Sequence, residues 1–130
     1  MRKPRVIYQP ARKYGNARLR NKDGEFDSGL EYCRWIFLKD EEKAGRISGL
    51  RRQVPFELVP AQRDGGPKGR LLERPVTYVA DFAYTRTADG ARVVEDAKGV
   101  RTAAYVIKRK LMLRVHGIRI REVEGAGEKI

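Results

Sequence analysis

The pattern of apolar and polar residues predicts a helix that begins just after Ser28. From there, apolar residues recur at the three- and four-residue spacing of a helix, and Gly45 is expected to end it. Ser28 is a good N-cap, and Glu31 stands three positions later, as in a capping box. The expected apolar stripe consists of Leu30, Cys33, Ile36 and Phe37.

A short hairpin is predicted ahead of this helix, over residues 16–28. Apolar residues flank Asp23-Gly24, which is a strong signal for a tight turn. Residues 1–14 contain basic residues and no acid, and are predicted to form a basic, flexible arm.

A strand is predicted after the helix, where every second residue is apolar. Val54, Phe56 and Leu58 have the spacing of a strand with one buried face. Pro55 favours an edge strand or an irregular one, because proline cannot donate a hydrogen bond to a neighbouring strand. Residues 60–70 are rich in glycine, proline and charge, which predicts a mobile loop.

Two further strands are predicted as a hairpin. Residues 75–84 are β-branched and aromatic, as in a central strand. After a turn at residues 87–90, residues 91–98 are expected to return antiparallel.

Thr102 is expected to cap a second helix over residues 103–115, with Gly117 at the C′ position. A last strand is predicted over residues 118–123, followed by a flexible tail over 124–130. The expected apolar stripe of the helix consists of Ala104, Ile107, Leu111 and Val115.

The predicted order is helix, three strands, helix and strand. This order indicates the α/β (α+β) class, with a central mixed sheet flanked by helices. One domain is expected over residues 15–123, because neither an internal repeat nor a second hydrophobic unit is present.

Charge is the strongest global signal, since 29 Lys and Arg against 17 Asp and Glu give a net charge of +12. Such a field attracts polyanions, above all nucleic acid. The basic residues form two acid-free clusters, and we favour phosphate contacts for at least one of them over solvated faces alone. The clusters consist of Arg2, Lys3, Arg5, Arg12, Lys13, Arg18 and Arg20, and of Arg101, Lys108, Arg109, Lys110, Arg114, Arg119 and Arg121.

Composition excludes several classes of protein. No apolar run approaches the ~20 residues that a membrane helix needs, and no secretory signal follows Met1. The single cysteine, Cys33, excludes an intrachain disulfide and favours a cytoplasmic protein. Its place in the helical stripe predicts a core position. With one cysteine and one histidine, no structural zinc site is expected.

The stretch VVEDAKG places two acids and a lysine at the end of a predicted strand. Alternation puts Asp96 and Lys98 on one face and Glu95 on the other. Taken alone, Asp96 and Lys98 are better explained as a surface salt bridge than as part of a metal site. Glu95 is expected to pair with a basic side chain or solvent, and its loss to matter less than that of Asp96.

Asp81 lies inside an otherwise apolar strand, where a solvated face explains it poorly. Alternation places it with Ala83, opposite Tyr78 and Phe82. If the two strands form a hairpin, Asp81 and Asp96 can lie close together. Mg²⁺ or Mn²⁺ would relieve the repulsion between two such carboxylates, since both ions prefer hard oxygen ligands.

The order of elements, together with Asp81 and Asp96-x-Lys98, resembles the core of the PD-(D/E)XK nuclease superfamily. The blocks GEFDSGLEYCRW, GRISGLRRQVPFEL, YVADFAY and VVEDAKG are similar, in this order, to small phage and prophage nucleases. Those nucleases are related to endodeoxyribonuclease I-type junction resolvases. The resemblance covers residues 14–123. No proline precedes Asp81, where the superfamily pattern has one.

The resemblance implies a restriction-endonuclease-like core with a metal site. Asp81 and Asp96 match the two acidic metal ligands, and Lys98 matches the catalytic lysine. Glu31 matches an acid that helps to bind metal directly or through water, a role compatible with its place in the capping box. The backbone carbonyl of Ala97 would be a further ligand.

The remaining candidates surround this site. Gln53 would either reach it or point outward from an edge strand, and both interpretations stay open. The residues expected to contact nucleic acid are Lys108, Arg109, Arg101, Arg12 and Lys13.

We therefore expect a Mg²⁺- or Mn²⁺-dependent endonuclease that hydrolyses phosphodiester bonds in DNA, with branched DNA such as a Holliday junction among its substrates. Two alternatives stay open: a non-specific nuclease that cuts DNA or RNA at the same site, and a non-catalytic, basic nucleic-acid-binding module. A junction substrate would require two sites and hence a homodimer. We expect a cytoplasmic protein without a membrane partner, in the bacterial host cell if it is phage-encoded.

Overall fold

Ten elements follow one another in the computed structural model, which describes residues 19–21, 24–98 and 101–130. In chain order they are β1 (Leu19–Asn21), β2 (Gly24–Phe26), α1 (Gly29–Lys43), β3 (Ile47–Val59), β4 (Gln62–Asp64), β5 (Arg70–Glu73), β6 (Val76–Arg86), β7 (Arg92–Ala97), α2 (Ala103–His116) and β8 (Arg121–Val123). The predicted basic arm, with Arg12 and Lys13, lies outside the described residues.

A mixed sheet of four strands, in the order β3-β6-β7-β8, forms the centre of the fold. β3, β6 and β7 pair antiparallel, and β8 pairs parallel with β7. One apolar core includes Met112 of α2, and another includes Leu38 of α1, so the helices cover opposite faces. The order α1, β3, β6, β7, α2, β8 confirms the predicted fold class and the edge position of β3. Neither described helix is long and apolar enough to cross a membrane.

The first helix begins at its predicted cap but buries a different face. The Ser28 hydroxyl accepts a hydrogen bond from the Glu31 N–H, at 3.2 Å. The predicted apolar stripe is wrong, because Cys33 is exposed and its other members are only partly buried. The buried residues of α1 are Glu31, Tyr32, Arg34, Leu38 and Glu41. Three of these five are charged, so an apolar pattern could not identify the buried face.

The second helix also has its predicted ends and a different buried face. Thr102 caps it, and Gly117 adopts the left-handed conformation at φ 66°, which glycine tolerates best. Of the predicted stripe, only Leu111 packs against the core, while Ala104, Ile107 and Val115 are exposed. The buried residues of α2 are Tyr105 and Met112.

Residues 60–70 are not the irregular loop that the sequence predicts. β4 and β5 pair antiparallel across them and form a two-stranded hairpin. The hairpin predicted ahead of α1 is confirmed by the pairing of β1 with β2, although Asp23 of its turn lies outside the described residues.

The C-terminal residues, predicted to be a flexible tail, make defined contacts. Arg34 donates hydrogen bonds to the carbonyls of Ala126 and Glu128. The Glu128 carboxylate accepts from the N–H of Glu124, and Ile130 packs beside the core under α1. Residues 124–130 are therefore attached to the first helix.

Side-chain alternation in β6 shifts by one residue at Asp81. Tyr78, Ala80 and Ala83 pack in the core under α2, whereas Phe82 packs under α1. The predicted faces of Ala83 and Phe82 relative to Tyr78 are therefore wrong.

The cause of the shift lies in β3, directly opposite. The pairs Arg52–Phe82 and Val54–Ala80 flank Gln53 and Asp81, and Gln53 has a φ of 51°. Such a left-handed conformation is unusual for a non-glycine residue and turns the following side chains to the other face.

Candidate functional site

A pocket opens where strands β6 and β7 separate. Their ladder ends at the pair Phe82–Glu95. Two residues beyond Glu95, the Ala97 N–H donates at 2.8 Å to the carboxylate of Asp81, the residue next to Phe82, in place of a backbone acceptor. The two strands diverge from there, leaving a cavity of about 420 Å³ between the sheet and the N-terminal turns of both helices.

Asp81 lies at the point of separation, and Asp96 lines the same pocket, as the predicted hairpin brings them together. Its burial, reinforced by the carboxylates of Glu31 and Asp96, raises the pKa of Asp81 to about 8. Among the described residues, only one of its oxygens accepts a hydrogen bond. The charge of Lys98 and the hydrogen bond from Ala97 lower the pKa of Asp81, but they are outweighed by burial and the neighbouring carboxylates.

Asp96 and Lys98 form the pair that strand alternation predicts. The Lys98 Nζ lies 3.1 Å from Asp96 Oδ1, and the Tyr78 hydroxyl donates to Asp96 Oδ2 at 2.5 Å. Lys98 also lies 4.0 Å from the centre of the Tyr105 ring. Burial, with the adjacent Asp96 carboxylate, raises the pKa of Tyr78 far above its usual range, so this phenol remains a donor.

Glu31 reaches the same pocket from the first turn of α1. Its carboxylate accepts from the Asp27 N–H at 3.3 Å and from the Gln53 side-chain amide at 3.0 Å. Arg52 lies 3.7 Å from the same carboxylate. Burial, followed by the charge of Asp27, raises the pKa of Glu31. Gln53 therefore reaches the site, which decides between the two interpretations of that residue.

The pocket is acidic although the protein is strongly basic. Four acids and two lysines line it in a chain with a net charge of +12. The acids are Asp27, Glu31, Asp81 and Asp96, and the lysines are Lys98 and Lys108. Carboxylates that lie close together despite their mutual repulsion are typical of sites that bind a cation.

The donors available to a cation are few. Among the described residues, no three His, Cys, Asp or Glu side chains are grouped closely enough to hold a metal ion. The second oxygen of Asp81 is without a hydrogen bond there, and Asp96 lies within range of its charge. The N–H and C=O of one strand residue point to the same side, so the Ala97 carbonyl faces Asp81 as well. Two carboxylates and one carbonyl, completed by water, fit Mg²⁺ or Mn²⁺.

Within the described residues, the basic residues predicted to contact nucleic acid do not lie together. Lys108 lines the acidic pocket. Arg101 and Arg109 both pair with Glu122 and line a separate cavity of about 470 Å³ on the other side of α2. Their guanidinium groups are thus partly neutralised by an acid of β8.

Glu95 has the basic partner that the sequence predicts, although its burial was not foreseen. Glu95 and Arg34 are both fully buried and form two hydrogen bonds, at 2.8 and 2.7 Å. The Tyr84 hydroxyl also donates to this carboxylate. Glu95 therefore holds β7 to α1 on the face opposite Asp96.

Sequence reasoning missed two residues that line the site, Tyr78 and Tyr105. It also did not single out Arg34, which pairs with Glu95 on the opposite face. Two tyrosines at a strand start and a helix start are ordinary in sequence, and only the fold brings them to Asp96 and Lys98.

Residues 11–125 match the protein family described as Protein of unknown function (DUF1064), and the chain therefore belongs to this family. Comparison with curated proteins and with solved structures found no match. The family description assigns no activity, so the function has to be argued from the pocket itself.

Proposed function

We propose that this protein is a metal-dependent endonuclease that hydrolyses phosphodiester bonds in DNA. The observation that carries the proposal is the meeting of Asp81, Asp96 and Lys98 in an acidic pocket of a basic protein. The order of helices and strands and the resemblance to the PD-(D/E)XK superfamily support the same assignment.

The pocket would hold the cation with Asp81, Asp96 and the Ala97 carbonyl. Glu31, which lines the same pocket, would help to hold the cation directly or through water. A bound divalent cation would polarise a phosphoryl oxygen and make a bound water more acidic.

Lys98 would stabilise the negative charge that develops on the phosphate. Its ammonium group is held between the Asp96 carboxylate and the Tyr105 ring, so its position is fixed before substrate arrives. Tyr78 would keep Asp96 in place through its hydroxyl group.

DNA with branches is the substrate that the resemblance favours, and two cuts in a junction would require a dimer. A non-specific nuclease acting on DNA or RNA would use the same residues. In a non-catalytic module, the same carboxylates would only support the fold. A partly buried aspartate with a raised pKa, such as Asp81, is however costly as a purely structural residue.

A panel of substrates tests the proposal. Purified protein is incubated with branched, nicked, linear and single-stranded DNA and with RNA, in Mg²⁺, Mn²⁺ or EDTA. Cleavage is expected only with a cation, and most strongly with branched DNA. Binding without cleavage under every condition would favour the non-catalytic module instead.

Removal of one carboxylate is expected to abolish the response of thermal stability to metal. A cation at 100 times its Kd stabilises a folded protein by about 2.7 kcal/mol, and Asp81→Asn should eliminate this gain. The measurement is the melting temperature with and without Mn²⁺.

Asp40→Asn is the matched control, because Asp40 is an exposed aspartate on α1. This variant should respond to metal like the wild-type protein. Equal responses of Asp81→Asn and Asp40→Asn would place the cation elsewhere.

A further inference from the structure

Beside the candidate site, the described residues leave part of one sheet face uncovered. Opposed residues in antiparallel strands share a face, and the pairs Pro55–Val79 and Glu57–Thr77 lie on the side away from α2. Three of these residues are exposed, Val79 to 46%, and Thr77 is only partly buried. We call these four residues the open strip.

The open strip begins at the pocket. Thr77 and Val79 line the cavity that contains Asp81 and Asp96. The strip exists because the side chains of β3 and β6 change faces at Gln53 and Asp81, so the apolar residues beyond that point turn towards α2. At its far end, β3 and β6 continue into the hairpin of β4 and β5.

This hairpin, residues 60–75, which we call the ribbon, has no core of its own. Every residue of β4 and β5 is exposed, and the two strands pair with no other described strand. Leu71 and Leu72 are 42% and 51% exposed. An isolated two-stranded hairpin is marginally stable in water, and exposed leucines on it are typical of a contact surface.

The charge of the ribbon indicates what that surface contacts. Basic residues outnumber acids by four to two along residues 60–75. The basic residues are Arg63, Lys68, Arg70 and Arg74, and the acids are Asp64 and Glu73. A basic ribbon with apolar side chains complements a nucleic-acid groove, where lysine and arginine bind phosphates and leucine contacts or unstacks bases.

We propose that the ribbon is a duplex-binding arm, which lies in a groove of double-stranded DNA and places Leu71 and Leu72 against its bases or sugars. A two-stranded ribbon fits the width of the major groove. The open strip would carry the DNA backbone from the ribbon to the pocket. This inference rests on the proposed function for the position of the cleaved strand.

The test measures binding of a short fluorescent DNA duplex in EDTA, so that cleavage does not contribute. Lys68→Glu is expected to weaken binding about tenfold and to lower the salt dependence by about one counterion. Leu71→Ser with Leu72→Ser should weaken binding by a similar factor with the salt dependence unchanged. All these side chains are exposed, so the variants should melt like the wild-type protein.

Two control variants match these changes. Lys43→Glu reverses the charge of an exposed lysine on α1, and Val115→Ser removes an exposed apolar side chain at the end of α2. Ribbon variants that bind DNA like these controls would overturn the inference. It would also be overturned if the leucine variants altered the sedimentation of the free protein, because the ribbon would then be a self-association surface.

The two proposals fail separately. If the wild-type protein cleaves DNA and the ribbon variants bind DNA normally, only the inference that the ribbon binds duplex DNA is overturned. If the ribbon variants bind DNA more weakly but the wild-type protein cleaves no substrate, the nuclease assignment is overturned and the inference of a duplex-binding arm stands.

Discussion

Lys98→Ala and Asp96→Asn are each expected to reduce DNA cleavage by roughly 10²–10³-fold while leaving DNA binding nearly unchanged. Lys98 is held beside both Asp96 and the Tyr105 ring, and its loss would leave the negative charge that is proposed to develop on the phosphate without that support. Asp96→Asn would keep the shape of the carboxylate but remove the charge that is proposed to hold the metal. Single-turnover cleavage and binding in EDTA separate the two properties.

Lys43→Ala and Asp40→Asn make the same chemical changes at exposed positions of α1. Both should cleave DNA at the wild-type rate. Full cleavage by both Lys98→Ala and Asp96→Asn would mean that the pocket is not the site of catalysis.

Glu95→Gln is expected to destabilise the protein by about 3–5 kcal/mol, a far larger effect on folding than that of Asp96→Asn. The substitution leaves the fully buried guanidinium of Arg34 without its charged partner. The Tyr84 hydroxyl would also lose its ionised acceptor. Urea unfolding, followed by circular dichroism, measures the change.

A double-mutant cycle isolates the ion pair from the rest of the contacts. Arg34→Met alone should also destabilise the fold, but Arg34→Met with Glu95→Gln should cost less than the sum of the two single changes. Additive effects would indicate that Arg34 and Glu95 contribute independently. The expectation that the loss of Glu95 has a smaller effect than the loss of Asp96 is therefore a prediction about DNA cleavage and not about stability.

The ends of the helices could be predicted because their signals are local. Ser28, Thr102 and Gly117 act through hydrogen bonds and backbone conformations within a few residues, and all three have their expected roles. The hairpin of β6 and β7 followed from one turn and two β-branched segments in the same way.

The buried helix faces could not be predicted, because burial depended on partners far along the chain. Arg34 is buried only because Glu95 and the carbonyl of Ala126 receive its hydrogen bonds, more than sixty residues away. An apolar pattern places such a residue in solvent, and the wrong face of the helix is therefore predicted to be buried. Cys33, next to it, was placed in the core for the same reason.

Alternation identified the Asp96 and Lys98 pair correctly because β7 is regular there. It failed in β6, where the left-handed conformation of Gln53 on the neighbouring strand shifts the faces at Asp81. That conformation has no signal in the sequence, since glutamine rarely adopts it. The proximity of Asp81 to Asp96 was nonetheless expected, because it depends on the hairpin register and not on the face alone.

The acidic pocket in a basic protein has a consequence for the order of events. In the proposed function, the net charge of +12 would draw a nucleic acid in at long range, but at short range the acidic residues of the pocket would repel each phosphate that approaches. Nucleic acid that binds before the cation would therefore stay at the edge of the pocket. Binding of the nucleic acid and its entry into the pocket would then be two separate steps, and the cation would govern only the second.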